Sequence, residues 1–420
     1  MIIRRRVPGR SAERRDPALP GGRARGRGLA VMALLLVAFN LRPAVTGLGP
    51  VLAEARSALG MSGAVAGLLT SVPALCFALV GVAAPRLARR YGPSAVVAAG
   101  TAVVAVGLVL RPLAGGTVLF LALSAVALAG IAVANVLLPV VVKQRFPDQV
   151  GRMTGLYSMA LNLGAAVAAA ATVPLSGAFG GDWRWGLGAW GVVAALAVPP
   201  WIVLARIRTA DGAPRSASVP PPGPASGPGA GAGMTRSRTA WALAAYFGLQ
   251  AGAAYVVIGW LPQMFRDAGL PAGTAGLLFA VTSLLGVPLS FALSALAGRL
   301  RQQSGIAVAL GVFGLAGYAG LWGAPAAAPW VWAVLLGVAN CSFPLALTMI
   351  GLRGRNSATV VRLSAFAQST GYLLSIPVPF LVGALYERTD GWRVPLVFLA
   401  VLMVAQLAAG VLAGRDRSVG

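Results

Sequence analysis

The chain contains no histidine, only two cysteines and a single lysine in its 420 residues. Without histidine it has no imidazole to hold a metal or to shuttle protons near neutral pH. Cys76 and Cys341 lie inside separate apolar runs with no CxxC spacing, so neither a thiolate metal site nor a disulfide framework is expected. Acids are scarce too, with ten Asp and Glu against 34 Lys and Arg, and charged residues make up 10% of the chain. Soluble domains carry about 25%. With 58% hydrophobic residues and a mean hydropathy of +0.80, the chain lacks the polar groups to cover a globule in water. The solvent that fits it is a bilayer. Catalysis inside a membrane needs an activated nucleophile, a base or a ligand set. None of the ten acids falls in the core of an apolar run. An embedded enzyme is therefore a poor reading, and neither cofactor nor metal is expected.

What the chain has is length in apolar runs. A spanning helix needs ~20 mostly apolar residues. Twelve such segments are predicted, at 29–52, 63–84, 94–113, 116–141, 153–175, 184–206, 239–262, 274–297, 304–323, 329–350, 362–385 and 393–414. Residues 1–28 read as a disordered basic tail and residues 415–420 as a short polar one. The Pro/Gly/Ser-rich stretch 207–238 reads as a flexible linker that divides the chain into six-helix bundles at 29–206 and 239–414. The fold class is an all-α membrane protein.

A net charge of +24 can signal nucleic acid, but these positives sit in tails and loops. With both termini on one side, that side collects 27 basic residues and the other six, namely Arg56, Arg111, Arg184, Arg266, Arg388 and Arg393. The asymmetry places both termini and the linker in the cytoplasm, against the anionic headgroups of a bacterial inner membrane. No nucleic-acid partner is expected, and the chain reads as a monomer.

The two halves repeat. Ala134-Asn135-x3-Pro139 matches Ala339-Asn340-x3-Pro344, and Ala66-Gly67-Leu68-Leu69 matches Ala275-Gly276-Leu277-Leu278. Trp183-Arg184 matches Trp392-Arg393, and Val173-Pro174-Leu175 resembles Val378-Pro379-Phe380. The offsets are 205, 209, 209 and 205 residues. Four matches in the same order at nearly constant offset indicate a duplicated six-helix unit. An even helix number makes the copies parallel, as in transporters that bind solute near the midplane between rocking halves.

On these residues the chain resembles the major facilitator superfamily, and within it the cyanate/nitroimidazole transporter family. The segments that carry the likeness are Asn40-Leu41-Arg42-Pro43 with Gly49-Pro50, Asn135 to Lys143 with Phe146-Pro147, Met153 to Tyr157, Trp183-Arg184-Trp185, and Gly248-Leu249-Gln250 with Trp260-Leu261-Pro262. The resemblance implies alternating-access movement of a small anionic or polar solute, cyanate-like or a nitro compound. Broad-specificity efflux is the alternative within the fold, and a non-transporting receptor the alternative outside it. One departure from the superfamily pattern is the loop Pro85-Arg86-Leu87-Ala88-Arg89-Arg90-Tyr91-Gly92, where Arg89 stands in place of the usual acid. A terminal-side latch built on that acid is thereby in doubt.

Arg42 is the sharpest single feature. It lies roughly 20 Å along the first helix from Leu29, at about 1.5 Å per residue. An ionised side chain at that depth must face a cavity or a partner. No acid is available in the apolar runs, so Arg42 either contacts an anionic or strongly polar substrate or caps backbone carbonyls at a helix break. Pro43 cannot donate to the carbonyl of Phe39 and disfavours helical geometry at Arg42, so a break or kink is expected there. Pro139 and Pro344 free the carbonyls of Asn135 and Asn340 in the same way. Asn40, Asn135, Gln250, Asn340 and Tyr157 complete the candidate substrate site. The amides serve equally well as glue between helices. Asn162 and Gln368 are weaker candidates. Trp260 and the two Trp-Arg pairs read as interface aromatics, and Lys143, Arg145 and Arg152 as solvated charges.

Overall fold

The computed structural model of the chain describes residues 20–210, 232–355 and 357–416. Among them are twelve helices long and apolar enough to cross a membrane. They are α1 (Arg27–Leu59), α2 (Gly63–Val80), α3 (Pro93–Leu113), α4 (Thr117–Arg145), α5 (Arg152–Ala178), α6 (Trp183–Arg206), α7 (Arg238–Asp267), α8 (Ala272–Arg299), α9 (Ser304–Gly323), α10 (Pro329–Arg353), α11 (Arg362–Thr389) and α12 (Arg393–Ala413). The first helix begins at Pro20, inside the stretch expected to be a tail. The α2 helix continues to Tyr91. The rest of the expected tail (1–19), the expected linker over 211–231 and residues 417–420 lie outside the described residues. The end of the expected linker is ordered. Ala232–Thr235 forms a short helix, and the Trp241 indole of α7 donates to the Thr235 carbonyl at 2.8 Å.

Proline places the breaks unevenly. In α1 the helix stops at Asn40 and resumes at Pro43, leaving Leu41 and Arg42 in a turn. Pro43 has no N–H for the Phe39 carbonyl. That carbonyl lies against Gly164 of α5, at a spot where any Cβ would collide with it. The chain then passes through the short helix Pro43–Thr46 and a 3-10 turn at Gly49–Val51 before its last helix, Leu52–Leu59. In α10 the break falls at Asn340 and Cys341. Its repeat partner α4 runs as one helix through Pro139, so the expected twin devices differ.

The repeat reappears in hydrogen bonding. Arg145, at the end of α4, donates to the Ser94 hydroxyl and the Leu204 carbonyl, both at 3.1 Å. Arg353, at the end of α10, donates to the Gln303 side-chain oxygen and, at 3.3 Å, to the Ala413 carbonyl. The pairs Arg145/Arg353, Ser94/Gln303 and Leu204/Ala413 are 208, 209 and 209 residues apart. Each arginine ties the end of one helix to the start of a second and the end of a third. Arg145 is thus a structural clamp rather than the solvated charge expected of it. A guanidinium has five donors in a fixed fork, which suits it to collect unsatisfied carbonyls at helix ends.

The halves meet along two seams, α2 against α11 and α5 against α8. The far side, opposite the described chain ends, is laced shut. Arg266 of α7 grips Glu54 of α1 with two bonds of 2.6 and 2.8 Å and also donates to the Pro50 carbonyl. Glu387 of α11 accepts from the Ala64 N–H at the start of α2. Deeper in, the Ser71 hydroxyl donates to the Ile376 carbonyl at 2.7 Å. Trp260 is fully buried here, against Tyr386 and Trp392 and under Arg56. Trp183 is likewise buried, with its edge on Phe120. Both are packed inside the protein rather than set in an interface belt, Trp260 against Tyr386 of α11 and Trp183 against Phe120 of α4.

Candidate functional site

Arg42 sits in the turn that breaks α1, half-buried, and its side chain makes no hydrogen bond and no ion pair among the described residues. Its backbone carbonyl caps the next helical piece, accepting from Val45 N, Thr46 N and the Thr46 hydroxyl. The residue is therefore fixed by its main chain while its guanidinium stays available. The hydroxyls of Tyr255 in α7 and Tyr372 in α11, both in the other half, lie within electrostatic range of that charge. Phe77 of α2 stacks on Tyr372 with ring centroids 5.6 Å apart, and Phe247 of α7 meets the same ring edge-on at 5.1 Å. Phe343 of α10 leans on Phe247. The result is a cation and two hydroxyls beside flat aromatic walls. A guanidinium and phenols bind planar oxygen-bearing groups by charge-assisted bonds, and aromatic faces stack on planar ligands.

The other expected site residues divide. Gln250 is buried within a chain of amides. Its Nε2 donates to the Asn340 side-chain oxygen at 2.9 Å and lies 3.4 Å from the Asn340 carbonyl. Its Oε1 accepts from Gln406 of α12 at 2.8 Å. The carbonyl freed by Pro344 thus finds a donor inside the second half, as a polar group away from water must. Asn40 points away from Arg42, donating to the Leu36 carbonyl at 2.8 Å and the Val193 carbonyl of α6 at 3.4 Å. Asn135 is half-buried, and its side chain has no hydrogen-bond partner among the described residues. Tyr157 packs on the core of the first half. Asn162 and Gln368 each bond within their own helix, to the Ser158 carbonyl and the Ser364 hydroxyl.

Tyr255, Tyr372 and Phe77 were missed by sequence reasoning. A lone tyrosine or phenylalanine in an apolar run carries no local signal, and only packing across the halves brings these rings to Arg42.

A model of the Major Facilitator Superfamily matches residues 34–376. The chain belongs to the major facilitator superfamily. This superfamily member is a multi-pass membrane protein and a secondary transporter of a small molecule, not an enzyme. It is 32% identical over 397 residues to the 2-nitroimidazole transporter of Escherichia coli, covering 94% of this chain and 98% of that one. It is 28% identical over 375 residues to the cyanate transport protein CynX of the same organism, covering 89% and 94%. An uncharacterized transporter of Bacillus subtilis, YycB, is 34% identical over 389 residues, covering 92% and 94%. Among solved structures, the nucleoside transporter NupG aligns with a TM-score of 0.74 at 12% identity, over 91% of this chain and 99% of that one. That likeness concerns the fold.

Proposed function

We infer that this transporter carries a small planar anion or nitro compound, bound between Arg42, Tyr255 and Tyr372 at the α1 break. The observation that carries the reading is the half-buried guanidinium of Arg42, which has no acidic partner among the described residues. A cation held in a membrane without a counter-ion is costly, and a bound anion would relieve that cost. The aromatic walls favour a flat solute over a globular one. The names of two relatives, a 2-nitroimidazole transporter and a cyanate transport protein, support the same class.

Alternating access follows from the two seams. The far side is latched by Glu54–Arg266 and Glu387–Ala64, so the proposed binding cavity opens toward the face that carries the chain ends. The 27 to six distribution of basic residues supports assigning that face to the cytoplasm. The test is a thermal-shift screen of the purified protein against small anions and nitroheterocycles, followed by flux of the best ligand into proteoliposomes. Arg42→Ala should abolish the ligand-induced shift while leaving the unliganded protein folded. A shift that survives Arg42→Ala would show that the solute binds elsewhere.

A further inference from the structure

A second arginine is buried on the far side of the same α1 break. Arg111, at the end of α3, is 2% exposed. Its Nη1 donates to the Ala44 carbonyl at 2.9 Å, and its guanidinium lies 5.5 Å from the centre of the Phe120 ring. The carbonyl is available because the Leu48 N–H, four residues on, turns to Val45 instead. Nε and Nη2 of Arg111 are both buried with no partner. These two N–H groups form the side-on edge of the guanidinium, the fork that grips two coplanar oxygens. No acid pairs with Arg111 among the described residues.

Arg111 also borders a small void, about 10 Å³, the room of one water-sized particle. Ala44, Leu48, Thr70, Ser124 and Gly259 are among its walls. All of these but Gly259 belong to the first half. Gly259 belongs to α7 and lies directly on Thr70, so it forms the wall that the second half contributes. Parting of the halves on the far side would withdraw that wall and open the void to that side.

We propose that Arg111 is a second anion-binding subsite, closed in this structure and exposed when the far side opens, which takes a small planar monoanion with two coplanar oxygens. It rests on the reading of Arg42 as an anion site in that both serve one solute. Arg42 offers its charge to the chain-end side of the α1 break, and Arg111 offers the empty fork to the far side. The Ala44 carbonyl held by Arg111 is two residues from Arg42, so the solute would pass between them with a short shift.

The test uses nitrate, a planar monoanion that does not titrate in the working range, and calorimetric binding to purified full-length variants. Gly63→Trp wedges the far side open, since even a Cβ at Gly63 would lie 2.5 Å from the Gly383 carbonyl. In an Arg42→Gln/Gly63→Trp background, nitrate should still bind saturably. Adding Arg111→Gln, which keeps an amide donor for the Ala44 carbonyl, should weaken that binding at least tenfold. Adding Ser124→Leu instead fills the void and leaves Arg111 in place, and it should do the same, which keeps the test decisive if Arg111→Gln folds poorly. No nitrate binding in the wedged background, or binding that neither addition changes, would overturn the subsite. The Arg42 reading is judged separately, by comparing Arg42→Gln with the parent at an unaltered Gly63.

Discussion

The substitution Gly63→Ala should shift the protein toward a state open on the far side. Gly63 starts α2 at the point where it meets α11. A Cβ there would lie 2.5 Å from the Gly383 carbonyl and 3.0 Å from the Glu387 Cβ. Real Cβ contacts essentially never fall under 3.0 Å, so the two helices must separate by at least 0.5 Å at backbone that cannot rotate away. The same separation strains the 3.2 Å bond from the Ala64 N–H to Glu387. Overpacking of this kind costs about 1–3 kcal/mol. The contact exists only while the far side is closed, so the cost falls on that state alone. At about 1.4 kcal/mol per tenfold, the ratio of far-open to far-closed molecules should rise roughly 5- to 150-fold. The assay is alkylation of a Thr70→Cys reporter by a membrane-impermeant maleimide from the far side, in a Cys76→Ala/Cys341→Ala background. Thr70 is 3% exposed and faces Gly259 across the seam. The parent should label slowly and Gly63→Ala much faster, with saturating ligand changing both rates. Unchanged labelling in a well-folded Gly63→Ala protein would refute the claim that this seam closes the far side.

Arg42→Lys should rescue binding poorly compared with its severe loss in Arg42→Ala, because a point charge does not reproduce the planar fork; titration calorimetry with the ligand found in the screen checks this, and full rescue would mean that charge alone suffices. Gln250→Leu should lower the melting temperature and leave the ligand dissociation constant within about threefold, since it strands Asn340 and Gln406 at a cost of about 1–3 kcal/mol; a selective loss of affinity would put the amide chain in the site after all. Any pH dependence of flux should follow the solute's own protonation, because no His exists and the ten acids lie away from the middle of the spans. Uphill accumulation of a non-titrating solute, driven by a pH gradient alone, would reveal a proton site carried by the protein.

The number of helices, their order and the duplication were legible because each is a one-dimensional signal. Hydropathy marks a span whatever packs on it, and the Asn-x3-Pro and Trp-Arg echoes survive in sequence as in space. The break at Arg42 was legible for the same reason, since Pro43 acts on its own helix. The partners of Arg42 were not. Tyr255 and Tyr372 are 213 and 330 residues away in the chain, and nothing local distinguishes them from lipid-facing tyrosines. Two of the amides find partners within their own halves. Asn40 and Gln250 are polar and deep, but each meets the last helix of its own half, at Val193 in α6 and at Gln406 in α12. Arg111 was counted as a loop charge at the end of an apolar run, and only its burial under Phe120 and α1 reveals it.

The symmetry of the two halves also separates packing residues from the proposed solute-binding ones. Features found in both copies hold the bundles together. These are the clamps at Arg145 and Arg353, and the amides from α1 and α7 that reach α6 and α12. The intramembrane charge breaks the symmetry. At the offset of about 209 residues that relates the copies, Arg42 falls on Ala251 and Arg111 on Gly320. Both counterparts are small and uncharged. A packing role needed by the six-helix unit would be required in both copies, as the clamps are, whereas a solute passing along one path needs its cation on one wall only. On the proposed reading the first half supplies charge, while the second supplies Tyr255, Tyr372 and the Gly259 wall. Rocking the halves would then change which side reaches the charge without moving either arginine relative to α1. An alanine at Arg145 or Arg353 should accordingly cost stability in its own half, whereas Arg42→Ala should cost binding alone. Separate melting and binding measurements on the three variants distinguish these outcomes, and a binding defect confined to the Arg353 variant would show that symmetry does not sort the residues in this way.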